Sequence, residues 1–328
     1  MTTSVLITRH DKIGDFVVAL PMFQCLKAAR PELRLVALVS KINLSLAQQL
    51  PYIDEVIEYQ SDNLGATLSA VKKAKCSVSI SAFIDSQLGF LLWRAGIPKR
   101  IGPATKLAQI WFNCRVKQRR SQVKKTEFAY NLDLLKAFDH QIETGIQAPL
   151  FGFAKADSIR ALEAFNAQYQ LENDRPIVAF HPGSGGSTDG NLTLQDYIRL
   201  AQAVIKQNKH RVVFTFGPDD ESLIAEADAA LGDQAVLHRS QGSVYDFALL
   251  LSNFSLFVST STGPMHLAAG SNLKTISFFG DVKVASPARW ASINQPENQH
   301  NFTVPQDYSD KLYSEIEEEL LQLTGQVS

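Results

Sequence analysis

Cysteine is scarce in this chain of 328 residues, which has only Cys25, Cys76 and Cys114. The three are far apart and lack CxxC spacing, so they indicate neither a disulfide framework nor a structural zinc site. Long apolar runs are also missing, because no stretch of roughly 18 residues is continuously apolar, as a membrane-spanning helix requires. Charged residues within the first fifteen positions argue against a signal peptide. We therefore expect a cytoplasmic protein without a membrane span.

Several common nucleotide and cofactor motifs are absent as well. The sequence contains no GxGxxG, no GxxxxGK[ST] and no GxSxG, which argues against a nicotinamide dehydrogenase, a P-loop NTPase and an α/β-hydrolase. Asp219 and Asp220 are adjacent rather than separated as in a metal-binding DxD signature, and no cluster of His, Cys and Asp has metal-ligand spacing. We expect no metal and no other cofactor.

The charges are distributed unevenly along the chain. Residues 1–155 hold 21 Lys and Arg against 12 Asp and Glu, whereas the remainder holds 11 against 21. Much of the basic excess lies between Arg115 and Lys125, where no acidic residue occurs. The first half should therefore favour anionic substrates or surfaces, although a solvated loop would explain the basic run equally well. We do not expect nucleic acid as a partner.

Short strand-like runs alternate with helical segments throughout, a pattern typical of parallel sheets covered by helices. In the first cycle, residues 5–8 read as a buried strand, 10–15 as a loop and 16–29 as a helix. After about residue 175 the alternation restarts, with a strand at 177–180 and a helix at 194–207. The pattern predicts two α/β domains.

We place the domain boundary within the polar and helical segment that separates the two series. The first domain then covers 1–154 and the second covers 155–307. A final helix at 308–325 follows the second series, and we expect it to pack back on the first domain.

The loop between the first strand and the first helix is a candidate catalytic segment, because ligands collect beyond the carboxyl ends of parallel strands. It has the sequence R-H-D-K-I-G-D and ends at Asp15. Asp15 could cap the helix, or it could serve as a catalytic carboxylate with an ordinary pKa of about 3.9. The two roles are compatible, since the helix dipole also keeps the carboxylate ionised.

Two loops in the second half are rich in small and hydroxyl residues. Residues 181–188 and 259–266 each connect a strand to a helix, and such loops can turn backbone N–H groups toward a phosphate. A flexible turn would explain the first of them, and His266 in the second is as typical of a structural histidine as of a ligand contact. Two anion-friendly loops in one domain and a carboxylate in the other suggest a diphosphate donor that faces an acceptor across a cleft.

These segments together resemble glycosyltransferase family nine, the ADP-heptose:lipopolysaccharide heptosyltransferases and their relatives. The similarity extends over nearly the whole chain, and it depends on the order and spacing of motifs that are individually weak. The motifs are residues 9–15, 95–102, 130–135, 181–187, Gly217-Pro218 with Glu221, 261–268 and 286–290.

The resemblance implies a GT-B fold with two Rossmann-like domains, parallel sheets facing across a cleft, an acceptor-binding first domain and a donor-binding second domain. It also implies metal-independent transfer with inversion at the anomeric carbon. Asp15 would be the general base, and Lys12, Arg119 and Arg120 would contact the acidic acceptor. The implied donor-binding residues are Gly183, Ser184, Gly185, Glu221, Ser261, Thr262, Gly263 and His266.

Two positions depart from the heptosyltransferase pattern. Many heptosyltransferases have a Lys about where Gly190 stands and an Asp where Ser261 stands, the Asp addressing the donor sugar. A donor other than ADP-heptose, or a different way of holding it, is compatible with these changes.

The function that the sequence favours is sugar transfer to a lipid-anchored acidic glycan, by an enzyme peripheral to the cytoplasmic face of the inner membrane. The departures at Gly190 and Ser261 motivate one alternative, a non-catalytic nucleotide- or glycan-binding relative. A nucleotide-sugar epimerase of the same fold is the other. Retention of Asp15 speaks against the binding-protein alternative.

Overall fold

The computed structural model describes residues 3–184, 190–218 and 220–325. It divides the chain into two compact units, one of Met1–Gly152 with Ser243–Tyr245 and the other of Phe153–Gly242 with Asp246–Ser328. The main division falls two residues before the boundary expected from the sequence.

The first unit contains a sheet of six parallel strands in the order β3-β2-β1-β4-β5-β6. Its central strands consist almost entirely of buried residues, which explains their continuous apolar sequences. The strands are β1 (Ser4–Arg9), β2 (Arg34–Val39), β3 (Glu55–Glu58), β4 (Val78–Ser81), β5 (Lys99–Pro103) and β6 (Cys114–Val116).

Helices connect these strands. They are α1 (Ile13–Val17), α2 (Leu20–Ala29), α3 (Leu44–Ala47), α4 (Leu64–Ala74), α5 (Ser86–Arg94) and α6 (Glu127–Phe138). The single helix expected at 16–29 is divided in two, because Pro21 lies in the first turn of α2 and has no N–H with which to continue the hydrogen bonding of α1. A short 3₁₀ helix, Leu107–Trp111, lies between β5 and β6 and packs on α5.

The second unit repeats this architecture with six parallel strands in the order β12-β11-β10-β7-β8-β9. The strands are β7 (Ile177–His181), β8 (Arg211–Phe216), β9 (Val236–Arg239), β10 (Leu256–Thr260), β11 (Lys274–Phe279) and β12 (Gln299–Thr303). The helices are α7 (Lys155–Tyr169), α8 (Leu194–Gln207), α9 (Glu221–Leu231), α10 (Val244–Leu251), α11 (Gly263–Gly270), α12 (Pro287–Trp290) and α13 (Asp310–Gly325).

The C-terminal helix α13 belongs to the core of the second unit. Tyr313, Ile316 and Leu320 recur at helical spacing, are at most 4% exposed and pack in the same apolar cluster as α8. The structure therefore assigns this helix to the second unit, whereas the sequence led us to expect packing on the first domain. The apolar stripe of α8 is the surface that α13 covers.

Each sheet has the strand order of a Rossmann fold, which confirms the predicted α/β class with two Rossmann-like units. In this topology the strand order reverses between β1 and β4 in the first sheet and between β7 and β10 in the second. Ligands bind beyond the carboxyl ends of the strands at these switch points. None of the helices that the structure describes has both the length and the apolar character that a membrane crossing requires.

Candidate functional site

The loop that follows β1 places Asp15 beside the switch point of the first sheet. Asp15 lies in the first turn of α1, whose N-cap residue is Lys12 and makes no side-chain capping bond. The Asp15 carboxylate pairs with the guanidinium of Arg9, the last residue of β1, and only 18% of the Asp15 side chain is exposed. An ion pair, rather than a capping bond, therefore fixes this carboxylate.

Arg9 is a buried cation that contacts three carboxylates. Its Nε donates to Asp11 at 2.8 Å, its Nη2 donates to Asp15, and its Nη1 donates to Glu127 at 3.5 Å. Burial opposes the charge of Arg9, but the three carboxylates outweigh burial and raise its pKa above the ordinary value. Arg9 therefore stays charged and holds Asp15 in one orientation.

Burial raises the pKa of Asp15 to about 6. The charge of Arg9 opposes this shift, whereas Asp11 and Glu127 add to it. The ordinary pKa expected from the sequence is wrong, because the sequence did not show how deeply this carboxyl group lies. A carboxylate whose pKa is close to neutrality is well matched to general-base chemistry in the cell.

Glu127 connects the Asp15 network to the basic segment. It is the first residue of α6, and its side chain is only 3% exposed. Its Oε1 accepts hydrogen bonds from Arg9 and from Arg120, and the Nε of Arg120 donates to Gln118 at 2.9 Å. Arg120, expected to contact the acceptor, is therefore a partner of Glu127. Among the other two expected acceptor contacts, Lys12 and Arg119 are both exposed.

A histidine and an aspartate pair across the same switch point. The Nε2 of His10, after β1, lies 2.9 Å from Oδ2 of Asp85, which follows β4 and caps α5 by accepting from the N–H of Leu88 at 2.7 Å. Burial alone would raise the pKa of Asp85, but hydrogen bonds from His10 and from Leu88 outweigh burial and lower it. The rings of Tyr59 and Phe83 enclose the imidazole at centroid distances of 4.3 and 5.4 Å.

In the second unit, the two small-residue loops follow neighbouring strands. β7 and β10 pair in parallel with His181 opposite Ser259, so Gly183 and Ser184 leave the sheet beside Ser261 and Thr262. The structure thus brings these four of the expected donor-binding residues to one edge of the sheet. Gly185 lies outside the described residues.

The N-terminus of α11 is the feature of this edge that is suited to an anion. Thr262 is its N-cap residue and forms no side-chain capping bond, while the hydroxyl of Thr262 donates to the carbonyl of Thr260 at 3.3 Å. Gly263 begins the helix and Pro264 follows it, so no bulky side chain covers the first turn. Free N–H groups at such a terminus bind phosphate.

His266 lies one turn into α11 and is only 3% exposed. Burial lowers its pKa to about 4, so the imidazole is neutral at physiological pH. The indole of Trp290 meets it edge to face, with ring centroids 6.4 Å apart. Any contact of His266 with a donor phosphate would therefore be a hydrogen bond from a neutral ring.

Asp220 places a carboxylate against the first of these loops. Its Oδ2 accepts from the N–H of Gly217 at 2.7 Å, and a Cβ at Gly183 would lie 2.4 Å from the same oxygen. The absence of a side chain at Gly183 therefore leaves room for the Asp220 carboxylate. The neighbouring residue Glu221 is exposed and pairs with Arg239 at 2.8 Å.

The acidic, histidine and cysteine side chains of the described residues are the possible metal ligands. No group of three or more is arranged to hold a metal ion in residues 3–184, 190–218 and 220–325. The metal-independent chemistry expected from the sequence stays a prediction.

Comparison with known families agrees with these observations. Residues 86–315 match the sequence profile of glycosyltransferase family 9 (heptosyltransferase). The chain belongs to glycosyltransferase family 9. It is 33% identical over 321 residues to a Haemophilus influenzae protein described as a glycosyltransferase, covering 95% of this chain and 92% of that protein.

More distant relatives of this family 9 glycosyltransferase have more specific names. A lipooligosaccharide heptosyltransferase 2 of Haemophilus influenzae is 22% identical over 291 residues, covering 84% of this chain and 83% of that protein. The structure of Escherichia coli ADP-heptose lipopolysaccharide heptosyltransferase II is similar with a TM-score of 0.80, at 17% identity and covering 98% of each chain. The second likeness supports the shared GT-B fold class.

Gly190 of this glycosyltransferase has a structural reason to lack a side chain. Its φ angle is +107°, and a Cβ at this position would lie 2.2 Å from the backbone nitrogen of Gly280. The Gly190 carbonyl accepts from the hydroxyl of Thr260 at 2.7 Å. The lysine that many heptosyltransferases have near this position would collide with the segment after β11.

The sequence did not indicate the roles of three residues at the candidate site. The motif at 9–15 includes Arg9 but gives no sign that its cation holds Asp15. Glu127 stands alone after the basic run, and this isolation is the only signal of its buried partners. In the sequence Asp220 stood out only as the neighbour of Asp219, because its contact with Gly183 forms only when the turn after β8 is folded.

Proposed function

We propose that this enzyme transfers a sugar from a nucleotide-diphosphate donor to a hydroxyl of a lipid-anchored acidic glycan, with inversion at the anomeric carbon. The observation that carries the proposal is the Asp15 carboxylate, which is mostly buried, oriented by Arg9 and has a pKa of about 6. A sugar hydroxyl is a poor nucleophile until a positioned base removes its proton during attack.

Asp15 supplies that base. Arg9 engages its Oδ1, so Oδ2 is the oxygen that we expect to accept the hydroxyl proton. At neutral pH the group is ionised, and its raised pKa makes it a stronger base than an exposed aspartate. Attack from the face opposite the leaving nucleotide inverts the anomeric carbon.

The donor diphosphate is held, in this proposal, by Gly183, Ser184, Thr262 and Gly263. The N-terminus of α11 provides positive electrostatic potential, and because His266 is neutral it adds only a hydrogen bond. We expect these groups to replace the divalent cation that other glycosyltransferases place at the diphosphate. Glu221 would lie near the nucleoside.

ADP-heptose is one candidate donor, since relatives of the chain have names that include heptosyltransferase. Ser261 follows β10 directly, at the place where a carboxylate would address the donor sugar, and its hydroxyl makes a smaller and uncharged contact. The proposal therefore concerns the class of donor, a nucleotide-diphosphate sugar, rather than one sugar.

The charge of the first unit supports an acceptor site there. Lys12 and Arg119 are exposed cations, and the first half of the chain carries the basic excess. An acidic glycan of the lipopolysaccharide core type has the complementary charge. We propose that the enzyme acts in the cytoplasm, peripheral to the inner face of the membrane that carries this acceptor.

Asp15→Asn tests the mechanism, and Asp11→Asn is the matched control because Asp11 is also bound by Arg9. We expect Asp15→Asn to lower kcat by about 10² to 10⁴ with donor affinity nearly unchanged, since the amide keeps the shape but cannot take the proton. Asp11→Asn should retain most of the rate. Wild-type turnover in a folded Asp15→Asn protein would show that Asp15 is not the general base.

The same assay separates the two alternatives. A binding relative would bind nucleotide sugar and never turn it over, whereas an epimerase would convert the donor with no acceptor present. Transfer that requires the acceptor, and that is lost with Asp15, supports the proposed function over both.

A further inference from the structure

The first unit carries a cluster of exposed apolar side chains on α5 and on the 3₁₀ helix that packs beside it. Of the eight large apolar side chains that are most exposed among the described residues, four lie within 21 positions of one another. We call these four, together with Trp111, the aromatic patch: Phe90 (41% exposed), Trp93 (51%), Leu107 (86%), Ile110 (64%) and the partly buried Trp111.

The side chains of the patch pack against one another and form a defined surface. The rings of Phe90, Trp93 and Trp111 contact one another with centroids 5.2 to 5.7 Å apart. Gly89 permits the approach of the 3₁₀ helix, since a Cβ there would lie 2.8 Å from the side chain of Trp111. Next to the patch, an apolar groove of about 420 Å³ between α4 and α5 is lined by Leu64, Leu68 and Leu91 together with Phe90 and Trp111.

The part of the sequence that carries the patch is rich in cations and contains no anion. From Ser86 to Thr126 the chain has ten Lys and Arg residues and no Asp or Glu. The Arg94 guanidinium lies 5.9 Å from the centroid of the Phe90 ring, and exposed Lys106 immediately precedes Leu107. A partner of this surface must therefore offer both apolar contact and negative charge.

We propose that the aromatic patch is the surface by which this enzyme inserts into an anionic lipid bilayer. Tryptophan is enriched at the membrane interface, where its apolar ring and polar N–H are both satisfied, and exposed Leu107 and Ile110 can enter the acyl boundary. The surrounding lysines and arginines meet the acidic headgroups. The choice of a bilayer as the partner rests on the proposed function, because a lipid-anchored acceptor brings the enzyme to a membrane.

A second copy of the chain fits the patch less well. A two-fold dimer through this surface would bring the same basic segment of both copies together, and like charges would face each other. A bilayer with acidic lipids removes that conflict.

Vesicle sedimentation with the full-length protein tests the inference. The probes are phosphatidylcholine vesicles and vesicles with about 30% phosphatidylglycerol, which differ in surface charge. We expect binding to the anionic vesicles, a blue shift of tryptophan emission on binding and weaker binding at high salt. Ile110→Ser should weaken the affinity for anionic vesicles at least about tenfold, with a similar loss for Leu107→Ser.

Ile159→Ser is the matched control, since Ile159 is 44% exposed on α7 of the second unit. Arg94→Gln tests the charge, because the exposed guanidinium of Arg94 lies 5.9 Å from the centroid of the Phe90 ring, and we expect about fivefold weaker binding. Unchanged binding of Ile110→Ser, or an equal loss for Ile159→Ser, overturns the inference. A concentration-dependent dimer that Ile110→Ser dissociates would overturn it in favour of a second copy.

Activity measurements keep this inference separate from the proposed function. Ile110→Ser should keep its turnover on a soluble, deacylated acceptor glycan while losing vesicle binding. A result in which neither the wild type nor any variant transfers sugar, while vesicle binding still depends on the patch, would contradict the proposed function and support the patch as the membrane-binding surface.

Discussion

The charge state of Asp15 depends on residues that never touch the reaction. Burial and the carboxylates of Asp11 and Glu127 raise its pKa, while Arg9 restrains the rise. A raised carboxyl pKa means that the ionised, basic form is lost as pH falls through about 6. The kcat/KM of the wild-type enzyme should therefore fall about tenfold per unit of pH below that value.

Glu127→Gln tests whether Glu127 positions the base. The change removes a negative charge that raises the Asp15 pKa, so the acidic limb of the kcat/KM profile should move to lower pH. It also weakens the hold on Arg9 and Arg120, so we expect kcat to fall about tenfold. The measurement is the pH profile of kcat/KM from pH 4.5 to 8.

Asp133→Asn is the control for this variant, because Asp133 lies on the same helix and pairs with Lys125 at 2.8 Å on the surface. The Asp133→Asn variant should have an unchanged kcat and an unchanged acidic limb of the kcat/KM profile. A lower rate for Glu127→Gln with an unmoved acidic limb would indicate a purely structural role.

At the scale of elements, the turn before α8 depends on close contact between two glycines. Gly190→Ala places a Cβ against the backbone of Gly280 at a φ angle of +107°. Gly96→Ala is the matched control, since Gly96 has a φ angle of +78° but open space around it. We expect the free energy of unfolding, measured with urea, to fall by about 1 kcal/mol for Gly96→Ala and by more than about 3 kcal/mol for Gly190→Ala. Equal losses of unfolding free energy would show that the segment at Gly280 shifts to accept the new Cβ without loss of stability.

The helix terminus of α11 leads to a prediction about cations. If N–H groups of α11 and the loop at 183–184 hold the diphosphate, EDTA should leave the transfer rate unchanged. The assay compares initial rates with and without the chelator. Activity that disappears in EDTA and returns with Mg²⁺ or Mn²⁺ would contradict the proposed donor site.

The sequence predicted the long periodic elements well but missed three of the short strands. Helix α8 has the predicted limits Leu194–Gln207, because its apolar stripe is strong. β5, β6 and β12 were missed, since each has only three to five residues and no continuous apolar or alternating pattern to detect. In the site, the loops could be found because strand ends are adjacent in a parallel sheet. The partners of Arg9 could not, because residue 127 approaches residue 9 only after folding.

At the scale of the whole molecule, two buried histidines make the second unit sensitive to acid. Burial lowers the pKa of His181 and of His266 to about 4, whereas an unfolded histidine titrates near about 6.5. The unfolded chain therefore gains protons first, and stability that is full above about pH 6.5 is lost progressively toward pH 4. Each group can account for a loss on the order of 3 kcal/mol.

Thermal unfolding at pH 7 and pH 5 measures this loss. His266→Gln removes one titrating group, so the difference in Tm between the two pH values should become smaller than in the wild type. The exposed His140, in the first unit, is the control, and His140→Gln should not change the difference. An unchanged difference for His266→Gln would show that acid destabilisation has another source.

The contact between Gly190 and Gly280 also restricts how this part of the second unit can evolve. A lysine at position 190 cannot arise here by one tolerated substitution, because the backbone of residues 279–280 already occupies the space of its Cβ. An ancestor or descendant with lysine at this place must have a displaced turn after β11, so the two segments must change together. The two positions should therefore covary across the family, and grafting the lysine alone should yield a misfolded turn rather than an altered donor preference.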